Sequence, residues 1–386
     1  MVRGRMRPNV HTMRPNKPLL LLPVALVAVA LTACGPQAAA DAAAPSSDAG
    51  QVAKVRHDLD ALVSDGALVG GEVVMRDAHG TRRVTAGLGE RDPKKRYPGG
   101  GHVRVASVTK AFTAAMILQL VDSGRVDLDA SVETYLPGVV RGEGIHADEI
   151  TVRQLLRHQS GLPEVTIEPE LENPTTTYTP RGLLDSALGD PAQFEPGAKM
   201  VYTNTNYVVA GMIIEKVTGH DYRTELSRRI TVPLGLDDTA LPATGDTGLP
   251  DPHPHGYHPI DGRLADVTAQ EPSALYASGG VVSTGADLNR FFLALENGKV
   301  IPKALLGQLH DTVPFPDVPG VDYGLGVMRF PLSCDVTVWG QAGDIAGFQA
   351  MVGTTGERAV SIMMNQSPTD ELSPAQLLHL LDDAIC

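Results

Sequence analysis

Ser107 and Lys110 lie three residues apart in Val105-Ala106-Ser107-Val108-Thr109-Lys110-Ala111-Phe112, and an apolar run follows them. On a helix, residues at i and i+3 share a face, with Cβ atoms roughly 5–6 Å apart. A neutral lysine amine at that separation can take the proton of a serine hydroxyl. Burial against apolar neighbours lowers the lysine pKa and supplies the neutral form. Val103, Val105 and Ala106 precede the pair, and Phe112, Met116 and Leu120 follow at i, i+4 spacing, the pattern of a buried helix. The helix start adds a second effect, because the free N–H groups of a first turn point at negative charge that develops beside Ser107. One turn of chain thus offers nucleophile, base and oxyanion donor. Ser-x-x-Lys also arises as a solvated pair on a helix surface, so the chemistry needs support elsewhere in the chain.

Three further places carry suitable groups. Tyr202-Thr203-Asn204 sits just before a helical run from Tyr207. The Tyr202 phenol can pass a proton to a leaving group if Lys110 lowers its pKa, and the Asn204 amide can bond a substrate amide. Gly340-Gln341-Ala342-Gly343-Asp344 follows a strand that carries Trp339. Its glycines let a ligand approach the backbone, and the Asp344 N–H becomes a second oxyanion donor beside that of Ser107. His253, His255 and His258 lie among Pro252, Pro254 and Pro259. No cysteine joins them and no His-x-x-x-His falls on a helix, so they read as a loop or strand start; neither metal nor cofactor is expected.

These groups need a scaffold. Val52 to Val63 has helical spacing closed by Gly66, and Gly71–Arg76 and Arg82–Gly87 read as a hairpin around Asp77-Ala78-His79-Gly80. After the Ser107 helix, Thr151-Val152-Arg153-Gln154 is a capping box opening a helix to His158. Thr179-Pro180 starts another, Tyr207 to Val217 a third, and Ser283-Thr284 caps a fourth through Leu295. Tyr323–Phe330, Asp335–Gly340, Phe348–Gly353 and Ala359–Met364 then read as strands, and Pro374–Ile385 as a closing helix. Strands at both ends with helices between predict an α+β domain over residues 51–386. An antiparallel sheet is assembled from both chain ends, flanked by helices, with a helical subdomain inserted.

Residues 1–33 read as an export signal. Arg3, Arg5, Arg7, Arg14 and Lys17 precede 15 uncharged residues, Leu19 to Ala33, a run short of the about 20 that a spanning helix needs. Leu31-Thr32-Ala33-Cys34 resembles a lipobox, which predicts Cys34 as a lipid-modified N-terminus on the outer face of the cell membrane. Residues 34–50, rich in Ala, Pro and Ser, read as a tether. From Cys34 onward the chain has 27 basic and 45 acidic residues, a net charge of −18 that excludes nucleic acid as a partner and makes a covalent anchor necessary at an anionic membrane. Cys334 and Cys386 remain as an even pair in an oxidising compartment, predicting a disulfide.

Together, Ser107-Val108-Thr109-Lys110, Tyr202-Thr203-Asn204 and Gln341-Ala342-Gly343 resemble the three motifs of the serine penicillin-recognising enzymes, in the order and spacing of class C β-lactamases and D-alanyl-D-alanine carboxypeptidases. Ile150-Thr151-Val152-Arg153-Gln154-Leu155-Leu156, Ser160-Gly161-Leu162, Pro233-Leu234-Gly235-Leu236 and Tyr323-Gly324-Leu325-Gly326 resemble the family's flanks. The resemblance implies a β-lactamase/transpeptidase-like fold and an acyl-enzyme on Ser107. Lys110 is then the base, Tyr202 the proton donor, and Asn204, Gln341, Ala342, Gly343 and Asp344 the substrate-binding set. It implies peptidoglycan stem peptides or β-lactams as substrates. Gln341 replaces the family's usual Lys or His, Ala342 a common Thr, and Met328 stands where a carboxylate-binding Arg is sought. These departures favour an esterase or amidase on neutral substrates as the alternative, and a penicillin-binding protein with little turnover is the third reading.

Overall fold

The computed structural model describes residues 47–166, 175–367 and 374–386. The stretch read as an export signal, Cys34 and most of the stretch read as a tether lie outside the described residues. The first helix, Ser47–Ser64, starts inside the stretch read as tether.

Among the described residues, nine strands form one antiparallel sheet. Its order from one edge is Val313–Pro314, Asp322–Tyr323, Met328–Pro331, Thr337–Ile345, Phe348–Thr354, Ala359–Met364, Gly70–Asp77, Gly80–Glu90 and Lys95–Arg96. The C-terminal strand Ala359–Met364 pairs with the N-terminal Gly70–Asp77, so the sheet is assembled from both chain ends. Both faces are covered, and Phe348–Thr354 and Ala359–Met364 are buried along their whole length. The closing helix Pro374–Ile385 has Leu377, Leu380, Leu381 and Ala384 on one stripe and lays it, with the first helix, on one face. Helix Gly285–Glu296 covers the other face and joins the helical core around Thr109–Asp122 and Thr205–Thr218.

Three elements differ from their sequence reading. Tyr323–Phe330 is two strands, Asp322–Tyr323 and Met328–Pro331, because Gly324 and Gly326 turn the chain between them; Gly326 has φ +77° and the Gly324 N–H donates to the Val327 carbonyl. The strand expected to end at Gly340 runs from Thr337 to Ile345, so Gln341-Ala342-Gly343 lies within a strand paired to Phe348–Thr354 and is not a strand-end turn. The helix opened by the Thr151 capping box ends at Leu156, and His158 takes φ +55°.

Cys334 and Cys386 are joined by a disulfide across a sequence separation of 52. It fastens the Met328–Pro331/Thr337–Ile345 hairpin to the end of the closing helix. Chain-entropy arguments put a loop of that length at about 4 kcal/mol. Cys386→Ser is therefore expected to lower stability by about 4 kcal/mol, read as a fall in urea midpoint. Iodoacetamide without reductant should label neither Cys334 nor Cys386 in the native protein.

Candidate active site

Ser107 sits in a 3₁₀ turn, Ala106–Val108, that leads into helix Thr109–Asp122. Ala106, just before it, has φ +46°, a conformation that non-glycine residues adopt only when their surroundings impose it. The turn packs closely against Gly343 on strand Thr337–Ile345. A Cβ at Gly343 would lie 2.5 Å from the Ser107 nitrogen and 2.7 Å from the Val105 carbonyl oxygen. Only glycine lets the nucleophile turn press on the strand.

The Lys110 side chain is fully buried. Its Nζ lies 3.0 Å from Ser107 Oγ, 2.8 Å from Asn204 Oδ1 and 2.8 Å from the Ser278 carbonyl oxygen. Burial lowers its pKa to about 7, against the carboxylates of Glu164 and Asp344, which favour the charged form. A neutral amine keeps two hydrogens, which the Asn204 and Ser278 oxygens accept, and its lone pair then faces Ser107. Tyr202 completes the group, with Lys110 Nζ 4.8 Å from its ring centroid and its side chain lining the same cavity as Ser107. Burial pushes the Tyr202 phenol well above its ordinary value, and this corrects the expectation that Lys110 lowers it. Tyr202 therefore keeps its proton at neutral pH and acts by relaying one.

Strand Met328–Pro331 pairs with Thr337–Gly340 and stops there, so Gln341–Ile345 presents a free edge on that side. The Ala342 N–H donates to Gln341 Oε1 at 2.9 Å and so points away from strand Phe348–Thr354. N–H groups two residues apart along a strand point the same way, so the Asp344 N–H faces the free edge. With the N–H of Ser107 it forms the pair of donors expected at an oxyanion.

Two expected substrate contacts take other positions. Gln341 is buried and donates to Tyr323 Oη at 3.2 Å and to the Gly326 carbonyl at 3.0 Å, so it does not line the cavity beside Ser107. Asn204, half-buried, is likewise not among the residues lining the cavity; its Oδ1 accepts from Lys110 and its backbone N–H donates to Glu164. Ala342, Gly343 and Asp344 do line the cavity.

Glu164 and the Ser278 carbonyl were not found from sequence. Glu164 accepts the Asn204 N–H through both oxygens, at 3.1 and 2.8 Å. It follows the Ser160-Gly161-Leu162 flank by two residues, the only signal available. The histidines of the 253–258 stretch do not converge on a metal. His255 bonds Asp266 and His258, on strand Tyr257–Ile260, bonds Ser367. Among the described residues Asp58, His379 and Asp383 do converge, but the Lys54 ammonium already supplies a cation at Asp383.

The cavity beside Ser107 has a volume of about 460 Å³. Its wall is apolar, with Phe315, Val318, Met328, Phe330, Met351 and Leu378. The charged side chains in that wall, among the described residues, are Asp317 and Asp344, both acidic. Arg329, beside Met328, points off the other strand face to pair with Asp322.

A profile described as Beta-lactamase matches residues 55–383. The D-stereospecific amidohydrolase from Streptomyces sp. is 36% identical and superposes with a TM-score of 0.79 over 86% of this chain and 98% of that one. The D-amino acid amidase from Ochrobactrum anthropi SV3, in a complex with D-phenylalanine, is 28% identical, with a TM-score of 0.77 over 87% of this chain and 98% of that one. Protein flp of Staphylococcus aureus (strain N315) is 28% identical over 197 residues, 50% of this chain and 38% of that protein. ML-236A carboxylate methylbutanoyltransferase mlcH of Penicillium citrinum is 33% identical over 223 residues, 50% of this chain and 52% of that protein. The matched region thus spans about half or less of these curated relatives. The nucleophile turn, the buried lysine, the tyrosine loop and the glycine-bearing strand edge come together within residues 55–383, and the chain belongs to the Beta-lactamase family of serine hydrolases.

Proposed function

We propose that the chain hydrolyses amides of D-amino acids with apolar side chains through an acyl-enzyme on Ser107. The observation that carries this reading is the cavity, whose apolar wall suits a large side chain and whose charged groups, Asp317 and Asp344, suit an ammonium and repel a carboxylate. The D configuration rests on the two structural relatives named above. Carboxypeptidase chemistry on stem peptides, and β-lactam hydrolysis, share the acylation machinery but call for carboxylate recognition. Met328 and the inward-turned Gln341 offer no cation for it.

In this mechanism Ser107 Oγ attacks the amide carbonyl as its proton passes to Lys110 Nζ. The N–H groups of Ser107 and Asp344 hold the oxyanion. Tyr202 gives its proton to the departing nitrogen and regains one from Lys110. Ammonia or an amine leaves, and Ser107 carries the acyl ester. Water then attacks that ester and gives a proton to the same Tyr202–Lys110 pair, which passes it to Ser107 Oγ as the C–O bond breaks, so the D-amino acid leaves and the free hydroxyl is restored.

The test is ammonia release from D-phenylalanine amide, L-phenylalanine amide and N-acetyl-D-phenylalanine amide. The D-amide with a free amine is expected to exceed each of the others at least tenfold in kcat/KM, about 1.4 kcal/mol of discrimination. Asp344→Asn should narrow the preference for the free amine. Rapid turnover of benzylpenicillin or a D-Ala-D-Ala peptide, with no ammonia from any amide, would sink the amide reading. Export with a lipid on Cys34 remains part of the proposal; it is supported by the signal-like N-terminus and suits a disulfide-bonded domain. Intact mass of protein from the membrane fraction checks it, and a chain retaining residues 1–33 would refute it.

A further inference from the structure

His158 takes no part in the mechanism above, yet its backbone carbonyl, its ring Nδ1 and its ring face are all directed at the segment carrying Tyr202. It is fully buried. Its backbone carbonyl accepts the Val201 N–H at 2.9 Å. Its ring Nδ1 lies 3.2 Å from the Thr203 nitrogen and 3.2 Å from Asn206 Nδ2. Its ring face stacks on Tyr202 itself, with centroids 4.1 Å apart and planes 27° from parallel. One residue therefore grips the positions before and after Tyr202 and lies against the phenol ring between them.

The hydrogen bonds also determine the tautomer. Two N–H donors converge on Nδ1, so Nδ1 carries no hydrogen, and Nε2–H donates to Tyr323 Oη at 3.2 Å. Burial and the nearby Lys110 hold the imidazole well below its ordinary pKa, so the neutral ring persists at working pH. Tyr323 Oη accepts from Gln341 as well, and the ring of Tyr207, whose hydroxyl donates to the Leu156 carbonyl at 2.8 Å, lies 5.3 Å from the imidazole, centroid to centroid. The ring is thus immobilised from behind. The backbone at His158 is left-handed, φ +55°, a conformation that non-glycine residues adopt only where the surroundings impose it.

We propose that His158 is the positioning residue for Tyr202, holding the phenol in line between Ser107 and the departing nitrogen by bracketing residues 201–203 and stacking beneath the ring. A tilt of the ring carries the hydroxyl at the end of a long lever, and a displacement of about 1 Å at a reacting group can lower a rate about a hundredfold. The inference rests on the reading that Tyr202 protonates an amide leaving group, which makes leaving-group chemistry the discriminating measurement. An amide nitrogen must be protonated to depart, whereas p-nitrophenolate departs as the anion. Misplacing Tyr202 therefore penalises the amide selectively. A residue that merely fills the core would lower both activities together, in proportion to the folded fraction.

The experiment compares kcat/KM for D-phenylalanine amide and D-phenylalanine p-nitrophenyl ester in the wild type, in His158→Asn and in His158→Phe. Asn presents an acceptor near the Nδ1 position, tolerates positive φ and removes the ring face; Phe keeps the ring face and removes the acceptor. In each variant the amide value is expected to fall at least tenfold and the ester value less than threefold. The loss should appear in kcat, with KM for the amide within twofold, because His158 does not line the cavity. Should His158→Phe fail to fold, His158→Asn carries the test. An amide-to-ester ratio unchanged within twofold in folded His158→Asn overturns the inference. A wild type that cleaves the ester and never the amide overturns the amide reading, and the leaving-group role of His158 with it. A wild type that cleaves both, beside variants with an unchanged ratio, removes His158 alone.

Discussion

Ser107→Ala is expected to abolish covalent acylation and to lower kcat on the order of 10⁴–10⁶-fold, the range over which removing a serine nucleophile acts. The fold should survive. The lost hydroxyl is one of three partners of Lys110, and the Asn204 oxygen and the Ser278 carbonyl remain. A single hydrogen bond contributes about 1 kcal/mol net, so the unfolding midpoint should move little. Intact mass after incubation with benzylpenicillin or an activated ester is the measurement. A variant that still gains the acyl mass would place the nucleophile elsewhere.

Lys110→Met is expected to lower kcat/KM about 10²–10⁴-fold, the contribution of a positioned general base. In the wild type the same group predicts the acid limb of the pH profile. Lys110 acts as the neutral amine, and its pKa is lowered to about 7. Activity should therefore rise with pH through about 7, and at pH 5 only about one molecule in a hundred holds the amine neutral. Removing a carboxylate that favours the charged form moves the limb to lower pH, so Asp344→Asn should shift it in that direction. The linkage to stability has the opposite origin and a defined window. The unfolded chain binds the Lys110 proton up to its ordinary 10.5, and the folded chain releases it near 7. Between those values the unfolded state holds more protons, so this group's contribution to stability rises with pH from about 7 to about 10.5. A profile of kcat/KM that is flat from pH 5.5 to 8 would remove Lys110 as the base.

The cavity gives the family machinery its direction. In the proposed mechanism Ser107, Lys110 and Tyr202 do the acyl chemistry, and nothing in that set distinguishes an amide from a peptide or a lactam. Selection falls to the wall, where Met328, Phe330 and Leu378 supply apolar surface and the acidic groups supply the sign of the charge. Gln341 shows how far a motif position can lie from the role its spacing suggests. On a strand the side chains alternate, and its place on the inner face sends it to Tyr323 and Gly326 while Ala342 meets the cavity.

By itself the sequence determined the Ser107–Lys110 pair as candidate nucleophile and base, and the order of the elements, because those depend on spacing within one turn and on periodicity over short windows. Ser107 and Lys110 are neighbours on one helical turn whatever the rest of the chain does. The pairing of the first strands with the last was likewise readable, since strands at both termini with helices between leave few ways to make one sheet. Tertiary structure decided what depends on residues far apart meeting in space. The Ser278 carbonyl, on the short helix Tyr276–Gly279, and Glu164, on a loop, reach the Lys110–Asn204 pair with no motif of their own. The pKa of Tyr202 is set upward by burial, a quantity absent from a local window. Gly324 and Gly326 cut one apparent strand into two, and the free edge at Gln341–Ile345 exists because its neighbour stops at Met328. Whether a group faces the nucleophile, the core or the cavity is a matter of register and of which surfaces touch, and local periodicity records neither.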